Sequence, residues 1–322
     1  METFDAFHLP GLELPGDQPF RELTFGEGPT RVVARAPVLS PAQIRDLAAA
    51  VRAARERRLA RLPVLEIANR IARAVNRWLD PYSPYLRDCE RLLPNVTGYP
   101  VEAIRKGLPA LLGGYREAHL RRLLEDELGD PAVIDGFRPR RAAAGLTRAF
   151  GPRLTAHVFA GNVPGLPAQS LTCALLVKAA SIGKSASEEP IFPVLFARSL
   201  AEVDPELAAA LAITWWPGGE RTIEHALFAE ADAVIAYGSE PAIESIRAAL
   251  PPGRRFIPYG HKISFGLIGR EALSRAAVDV TVAAAAYDTA KYDQQGCLSP
   301  HLFYLERGGE IEPEEFAARL AA

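Results

Sequence analysis

Apolar residues recur at helical spacing through the first third of the chain. Ser40 followed by Pro41 predicts an N-cap with proline at the first helical position. The periodicity continues through Leu47, Val51 and Leu59. A second stretch sets Ile67, Ile71, Val75 and Leu79 four residues apart, which makes one stripe along a helix. After a break containing proline and tyrosine, Thr97-Gly-Tyr-Pro100 predicts the opening of a helix near Val101–Leu112. Another helix is predicted from Tyr115 to about Leu128. Residues 1–39 are rich in proline and glycine, with short extended candidates such as Arg31–Arg35.

The pattern changes near residue 150. Short apolar runs now alternate with helical ones. Strand candidates are Leu154–Ala160, a run ending at Ile182, Ala212–Trp216 and Ala233–Tyr237. Helix candidates are Ala168–Val177, Pro190–Glu202, Thr222–Glu230 and Pro241–Leu250. Alternation of this kind predicts βαβ units and a mainly parallel sheet, with ligands at the carboxyl ends of its strands.

Composition narrows the function classes. The chain has 322 residues, 48% of them hydrophobic, which is enough for two domains with real cores. Basic and acidic residues number 37 and 39, for a net charge of -2. That balance gives no reason to expect nucleic acid or an anionic membrane as partner. No apolar run reaches the about 18 residues of a membrane span. The first residues lack the basic and then apolar order of a secretory signal. Cys89, Cys173 and Cys297 lie far apart and match no zinc or disulfide spacing, so a reducing cytoplasm is expected.

Three segments at predicted strand ends have the composition of a ligand site. In Phe159-Ala-Gly-Asn-Val-Pro-Gly165, Gly161 lets backbone approach a ligand and Asn162 offers an amide; the same residues also make an ordinary turn. In Ser181-Ile-Gly-Lys-Ser185, read as following a short strand, Lys184 could meet a phosphate or ribose, or simply be solvated. It is not a P-loop, because the glycine spacing is absent. In Tyr237-Gly-Ser-Glu240 a strand passes straight into a helix. Gly238 and Ser239 there offer free N–H groups to an anion, with an ordinary N-cap as the alternative.

The cysteines differ by context. Cys173, between apolar neighbours on a helix, reads as a core residue. Cys89, between Asp88 and Glu90, sits in a field that raises a thiol pKa. Cys297 lies in the polar Lys291-Tyr-Asp-Gln-Gln-Gly-Cys-Leu-Ser-Pro300, behind the small-residue run Val282–Ala286. It reads as presented rather than packed, so nucleophile and buried thiol both stay open. His261, in Pro258-Tyr-Gly-His-Lys-Ile-Ser264, is a candidate for orienting or protonating a group near Cys297, or a structural histidine.

Taken in order, these segments resemble the aldehyde dehydrogenase superfamily, and more closely its acyl-CoA reductase branch, the LuxC family. The resemblance covers roughly residues 40–305 and is carried by Leu93–Pro100, Ala160–Pro164, Trp216–Gly219 and Asp293–Pro300, the last being the most specific. It implies Cys297 as the nucleophile toward an acyl thioester and Asn162 as an oxyanion donor together with the Cys297 amide. It implies Lys184 on the adenosine ribose of a nicotinamide cofactor, and Gly238 and Ser239 beneath its pyrophosphate. Hydrolytic relatives carry Glu-Leu-Gly-Gly-Lys where this chain has Pro258-Tyr-Gly-His-Lys262, and proline cannot act as a general base. An acyl-enzyme is therefore expected to resist water and wait for hydride.

The expectation is an α/β, aldehyde dehydrogenase-like protein. Residues 1–39 form an extended segment and 40–150 a helical region. Residues 151–258 form a Rossmann-type parallel-sheet domain, and 259–322 begin a catalytic domain carrying the nucleophile. Only 25 residues (322 less 297) follow Cys297, so the catalytic domain reads as truncated. The implied function is NADPH-dependent reduction of fatty acyl-CoA or acyl-protein to aldehyde, with NADH as the alternative reductant and no metal. The runner-up readings are a CoA-acylating aldehyde dehydrogenase and a silent nucleotide- or acyl-binding protein. The resemblance further implies homo-oligomers in the full-length family and an acyl-transferring partner subunit.

Overall fold

The computed structural model describes residues 2–140, 142 and 144–322. It divides into two compact units, Met1–Gly260 and His261–Ala322.

The first unit opens with strands β1 (Glu2–Asp5), β2 (Phe20–Phe25) and β3 (Val32–Pro37). They form a sheet in the order β1-β3-β2, with β1 parallel and β2 antiparallel to β3. Helices α1 (Pro41–Arg57), α2 (Val64–Trp78), α3 (Pro84–Thr97), α4 (Val101–Leu112) and α5 (Glu117–Leu128) follow. The predicted break before Thr97 is in fact α3, which begins at Pro84 and carries Pro94 within it. Ser40 closes the start of α1 with a full capping box: its Oγ accepts from Gln43 N at 3.2 Å, and its own N donates to Gln43 Oε1 at 2.8 Å.

A short hairpin, β4 (Arg138–Pro139) and β5 (Leu146–Thr147), leads into the parallel sheet. The elements are then β6 (Leu154–Val158), α6 (Pro167–Leu176), β7 (Ala180–Lys184), α7 (Phe192–Ala201), α8 (Pro205–Ala208), β8 (Leu211–Thr214), α9 (Arg221–Glu230), β9 (Ala233–Tyr237), α10 (Glu240–Ala249) and β10 (Arg255–Tyr259). All five strands run parallel in the order β10-β9-β6-β7-β8. Strand β10 was not expected from the sequence. It lies at the sheet edge, where Pro258 costs no central ladder bond. The opposite edge, β8, receives one antiparallel bridge from His8, whose N and O exchange 2.8 Å bonds with Ile213.

Buried side chains fasten the helices to the sheet layer. Trp78 is fully buried, stacks on Tyr85 at 5.3 Å, and donates from Nε1 to Ser199 Oγ at 2.8 Å. Helix α7 is held at its start by the buried Glu189 carboxylate, which accepts from Ile191 N at 2.9 Å and Phe192 N at 2.7 Å. Burial raises this acid to about 7, partly opposed by those two amides.

The second unit contains β11 (Ser264–Ile268), α11 (Val278–Ala290), β12 (Pro300–Leu305) and α12 (Pro313–Ala321). Strands β11 and β12 pair in parallel. One sheet face packs on the helices around Ile268, Leu273, Val278, Ala285, Ile311 and Phe316. The other presents Phe265, Leu267 and Tyr304 at 54%, 75% and 57% exposure, unusual for parallel strands, which are ordinarily covered on both faces.

Two outcomes test these contacts. Ser40→Ala removes half of the capping box and is expected to cost about 1 kcal/mol in urea unfolding; an unchanged midpoint contradicts the cap. Glu189 holds its proton more tightly folded than unfolded. Its favourable contribution is therefore complete below about pH 4.5 and declines as pH rises toward about 7. Relative to Glu189→Gln, which keeps an acceptor oxygen, the wild type should lose stability across that window, by no more than about 3 kcal/mol. Parallel stability–pH curves contradict the assignment.

Candidate functional site

Strand order decides where the first unit can hold a ligand. From β6 the chain moves outward to β7 and β8, then crosses to β9 on the other side of β6 and on to β10. The connections leaving β6 and β9 therefore diverge, and a crevice opens at their carboxyl ends. Gly161 and Asn162 follow β6, and Gly238 and Ser239 follow β9, so the two predicted loops flank this switch point.

The β6 loop is fixed by its neighbours. Phe159 N donates to Lys184 O at 3.0 Å. A Cβ on Gly161 would lie 2.7 Å from Glu188 Cβ and 3.0 Å from Glu189 N, so the close approach that needs glycine here is to protein. Asn162 is half-buried, and its carbonyl accepts from Tyr99 Oη at 2.8 Å. Tyr99 was read only as part of a helix opening. Its signal in the sequence is an aromatic residue directly behind Gly98, which ends α3 at φ +78°.

Lys184 is the last residue of β7 rather than a residue beyond the strand. The ladder carries it opposite Val158 on one side and Thr214 on the other. Its side chain is buried, and Nζ lies 6.0 Å from the centroid of the Trp216 ring. Burial lowers its pKa, while Glu224 and Glu188 pull the other way.

At the β9 end, Gly238 N donates to Tyr259 O at 3.2 Å, because β10 pairs alongside β9, so its N–H is not free for an anion as the sequence suggested; Tyr237 stacks on Tyr259 at 4.7 Å. Ser239 occupies the N-cap position of α10, yet its side chain makes no cap hydrogen bond. The first-turn amides of α10 thus lack the usual side-chain acceptor, at the helix end that favours anions. A dinucleotide fits this donor set: amides at a helix start for a pyrophosphate, and a lysine one strand beyond the switch point for a ribose.

The second unit carries His261 and Cys297. His261 stands three residues before β11 and Cys297 three residues before β12. Because those strands are parallel and Ser264 pairs with Pro300, both residues lie at the same end of the pair. Ser264 Oγ donates to Cys297 O at 2.6 Å, which ties the cysteine backbone to β11. Cys297 is exposed, as its polar surroundings predicted. The chain reaches it through Tyr292, Asp293 and Gln294, three successive non-glycine residues at φ 56°, 49° and 58°. Each such residue stores on the order of 1–3 kcal/mol of backbone strain, a feature concentrated at functional loops. Bonds from Gln295 N to Tyr292 O (2.8 Å) and Ser299 Oγ to Lys291 O (3.1 Å) hold the loop closed.

The other thiols separate clearly. Cys89 is buried, and its pKa is raised by burial first, then by Glu189, Asp88 and Glu90. Cys173 is not the core residue its apolar neighbours suggested. It is exposed on α6, because Leu171, Thr172, Ala174 and Leu175 take the inward positions. Enough protein still surrounds its sulfur that desolvation, then Glu127, raises its pKa. Among the described residues, no group of acidic, histidine or cysteine side chains could hold a metal ion, and no helix is long and apolar enough to cross a membrane.

Comparison with known proteins agrees with this architecture. The model of the family described as acyl-CoA reductase (LuxC) matches residues 59–322. A long-chain acyl-protein thioester reductase of Photorhabdus laumondii is 32% identical over 201 residues, 61% of this chain and 40% of that protein. That of Aliivibrio fischeri is 28% identical over 246 residues, 74% of this chain and 50% of that protein. The matches thus span no more than half of either relative's length. Among solved structures, the NAD-dependent benzaldehyde dehydrogenase of Corynebacterium glutamicum superposes with a TM-score of 0.75 at 18% identity, covering 98% of this chain and 66% of that one. Aldehyde dehydrogenase 21 of Physcomitrella patens gives 0.74 at 16%, covering 99% and 63%. The fold is that of the aldehyde dehydrogenases, and with the family model matching more than four-fifths of its length, the chain belongs to the acyl-CoA reductase (LuxC) family.

Proposed function

We propose that this protein reduces a fatty acyl thioester, acyl-CoA or acyl-protein, to the aldehyde, with Cys297 carrying the acyl group between two half-reactions. The observation that carries the reading is Cys297 itself: an exposed thiol on a strained loop, inside the stretch matched by the family model.

In the first half-reaction the Cys297 sulfur attacks the thioester carbonyl, the donor thiol leaves with a proton, and acyl-S-Cys297 forms. Asn162 is the side-chain donor to the developing oxyanion, a role in which one hydrogen bond is typically worth about 2.7–4 kcal/mol. Tyr99 steadies that residue through its carbonyl. In the second half-reaction the carbonyl carbon becomes tetrahedral, the C–S bond breaks, and the aldehyde leaves with the Cys297 thiolate restored. A bound nicotinamide cofactor supplies the hydride; NADPH is our assignment, with NADH as the alternative. Ser239 would hold its pyrophosphate at the start of α10, with Gly238 letting the backbone come close while its own N–H stays on Tyr259 O, and Lys184 would hold its adenosine ribose. His261 is a candidate for moving the proton. Pro258, on the edge strand β10, has no group that takes a proton from water, so the acyl-enzyme persists until it is reduced. A reducing cytoplasm, which keeps Cys297 as a free thiol, is the compartment this chemistry suits.

Intact-mass measurement after incubation with a long-chain acyl-CoA should show one acyl adduct, absent from Cys297→Ala. An adduct that survives in the variant overturns the nucleophile assignment. The adduct should persist in buffer and disappear on addition of NADPH, with release of aldehyde. Discharge by water alone contradicts the role given to Pro258, and an adduct that NADPH leaves untouched indicates a binding protein without turnover.

A further inference from the structure

Strand alternation sorts the side chains at the ends of β7 and β8 onto two faces. Ser185, Ser187 and Trp215 share one, where Trp215 Nε1 donates to Ser187 Oγ at 3.1 Å. Lys184, its ladder partner Thr214, and Trp216 share the other. On this second face two buried donors lack acceptors, as Ser185 Oγ does on the first. Trp216 is 5% exposed and Thr214 fully buried, yet neither Trp216 Nε1 nor Thr214 Oγ1 has a hydrogen-bond partner. Lys184, at 8% exposure, has its ammonium beside the Trp216 ring and no carboxylate within ion-pair distance among the described residues. Its nearest electrostatic partners are Glu224 and Glu188, and Glu224 Oε1 already accepts from Gly219 N at 3.1 Å.

Buried polar groups in native proteins are almost always paired, so a cluster of donors without acceptors calls for an explanation. Here an ammonium lies beside the ring of one unpaired donor and its ladder partner carries the other, at the carboxyl end of a parallel sheet, where ligands bind. Such a set matches a ligand group made of oxygen atoms.

We infer that Trp216, supported by Thr214, joins Lys184 in recognising the oxygen substituent at the 2′ position of a nucleotide ribose, and that Trp216 determines specificity there. The inference rests on the reading that a nicotinamide dinucleotide binds at this sheet end. Lys184 is the member nearest solvent and meets the ligand first. Trp216 lies behind it, holding the ammonium against its ring and adding its own N–H. The shared chemistry is an oxygen at C2′, either the bare hydroxyl of an unphosphorylated cofactor or the phosphate of a phosphorylated one.

The test is calorimetric titration of the full chain with three probes that share a 5′-monophosphate: 5′-AMP, 2′,5′-ADP and 2′-deoxy-5′-AMP. The wild type should bind at least one of the first two roughly tenfold more tightly than the deoxy compound, the size of one hydrogen bond to a polar group. Trp216→Phe keeps an aromatic ring but loses the N–H, and should abolish that preference while binding the deoxy compound as before. Thr214→Val should reduce the preference in the same direction, and covers the case in which Trp216→Phe does not fold. Preference for 2′,5′-ADP over 5′-AMP assigns the phosphate as acceptor; the reverse preference assigns the hydroxyl. Equal weakening of all three probes overturns the inference, since it marks Trp216 as packing only. So does unchanged binding, which would mark the N–H as taking no part in recognition. Failure of the wild type to bind any probe also overturns it. Acylation of Cys297 needs no nucleotide, so its loss would sink the proposed reaction while leaving this result standing.

Discussion

The reversal of strand order at β6 is the constraint from which the first unit's site follows. A parallel sheet needs crossovers on both faces, and the point where successive crossovers part company leaves a crevice that no helix fills. In this chain that point lies between β6 and β9. The loop holding Asn162 and the turn holding Gly238 and Ser239 are placed there by topology, before any side chain is considered. The helical region then holds the first of those loops through the bond from Tyr99 to the Asn162 carbonyl. A tyrosine more than sixty residues away in sequence thereby reaches the candidate oxyanion donor.

The second unit presents its chemistry by a different physical device. Cys297 is not delivered by a helix start or a sheet end. It follows three residues in left-handed backbone, a conformation that non-glycine residues adopt at a cost, and its carbonyl is pinned by Ser264. Strain of this kind persists only where surrounding bonds hold it. The hydrogen bonds from Ser299 and Gln295 supply that restraint.

Much of this was legible in the chain itself, for identifiable reasons. Ser40 and Pro41 announce α1 because capping is local chemistry, and the stripe from Ile67 to Val75 announces α2 because that face is buried. Alternation after residue 150 revealed the parallel sheet. Features set by tertiary context were harder to read. Strand β10 is an edge strand containing proline, so it lacks the apolar run of a central strand. Helix α3 hides behind Pro94. Cys173 has apolar neighbours in sequence but points outward, since adjacent helical positions face different directions. Lys184 belongs to its strand because the ladders on both sides extend that far, information that no single segment holds. The unpaired donors of Thr214 and Trp216 are invisible without coordinates.

The central claim is that the carboxyl end of the sheet at the β6–β9 switch point receives a nicotinamide dinucleotide. A crystal structure of the chain with NADPH tests it most directly. The account predicts the pyrophosphate at the start of α10, against the Ser239 amide and close to Gly238, with the adenosine ribose at Lys184. Density for the cofactor elsewhere on the molecule, or its pyrophosphate away from the start of α10, would contradict it.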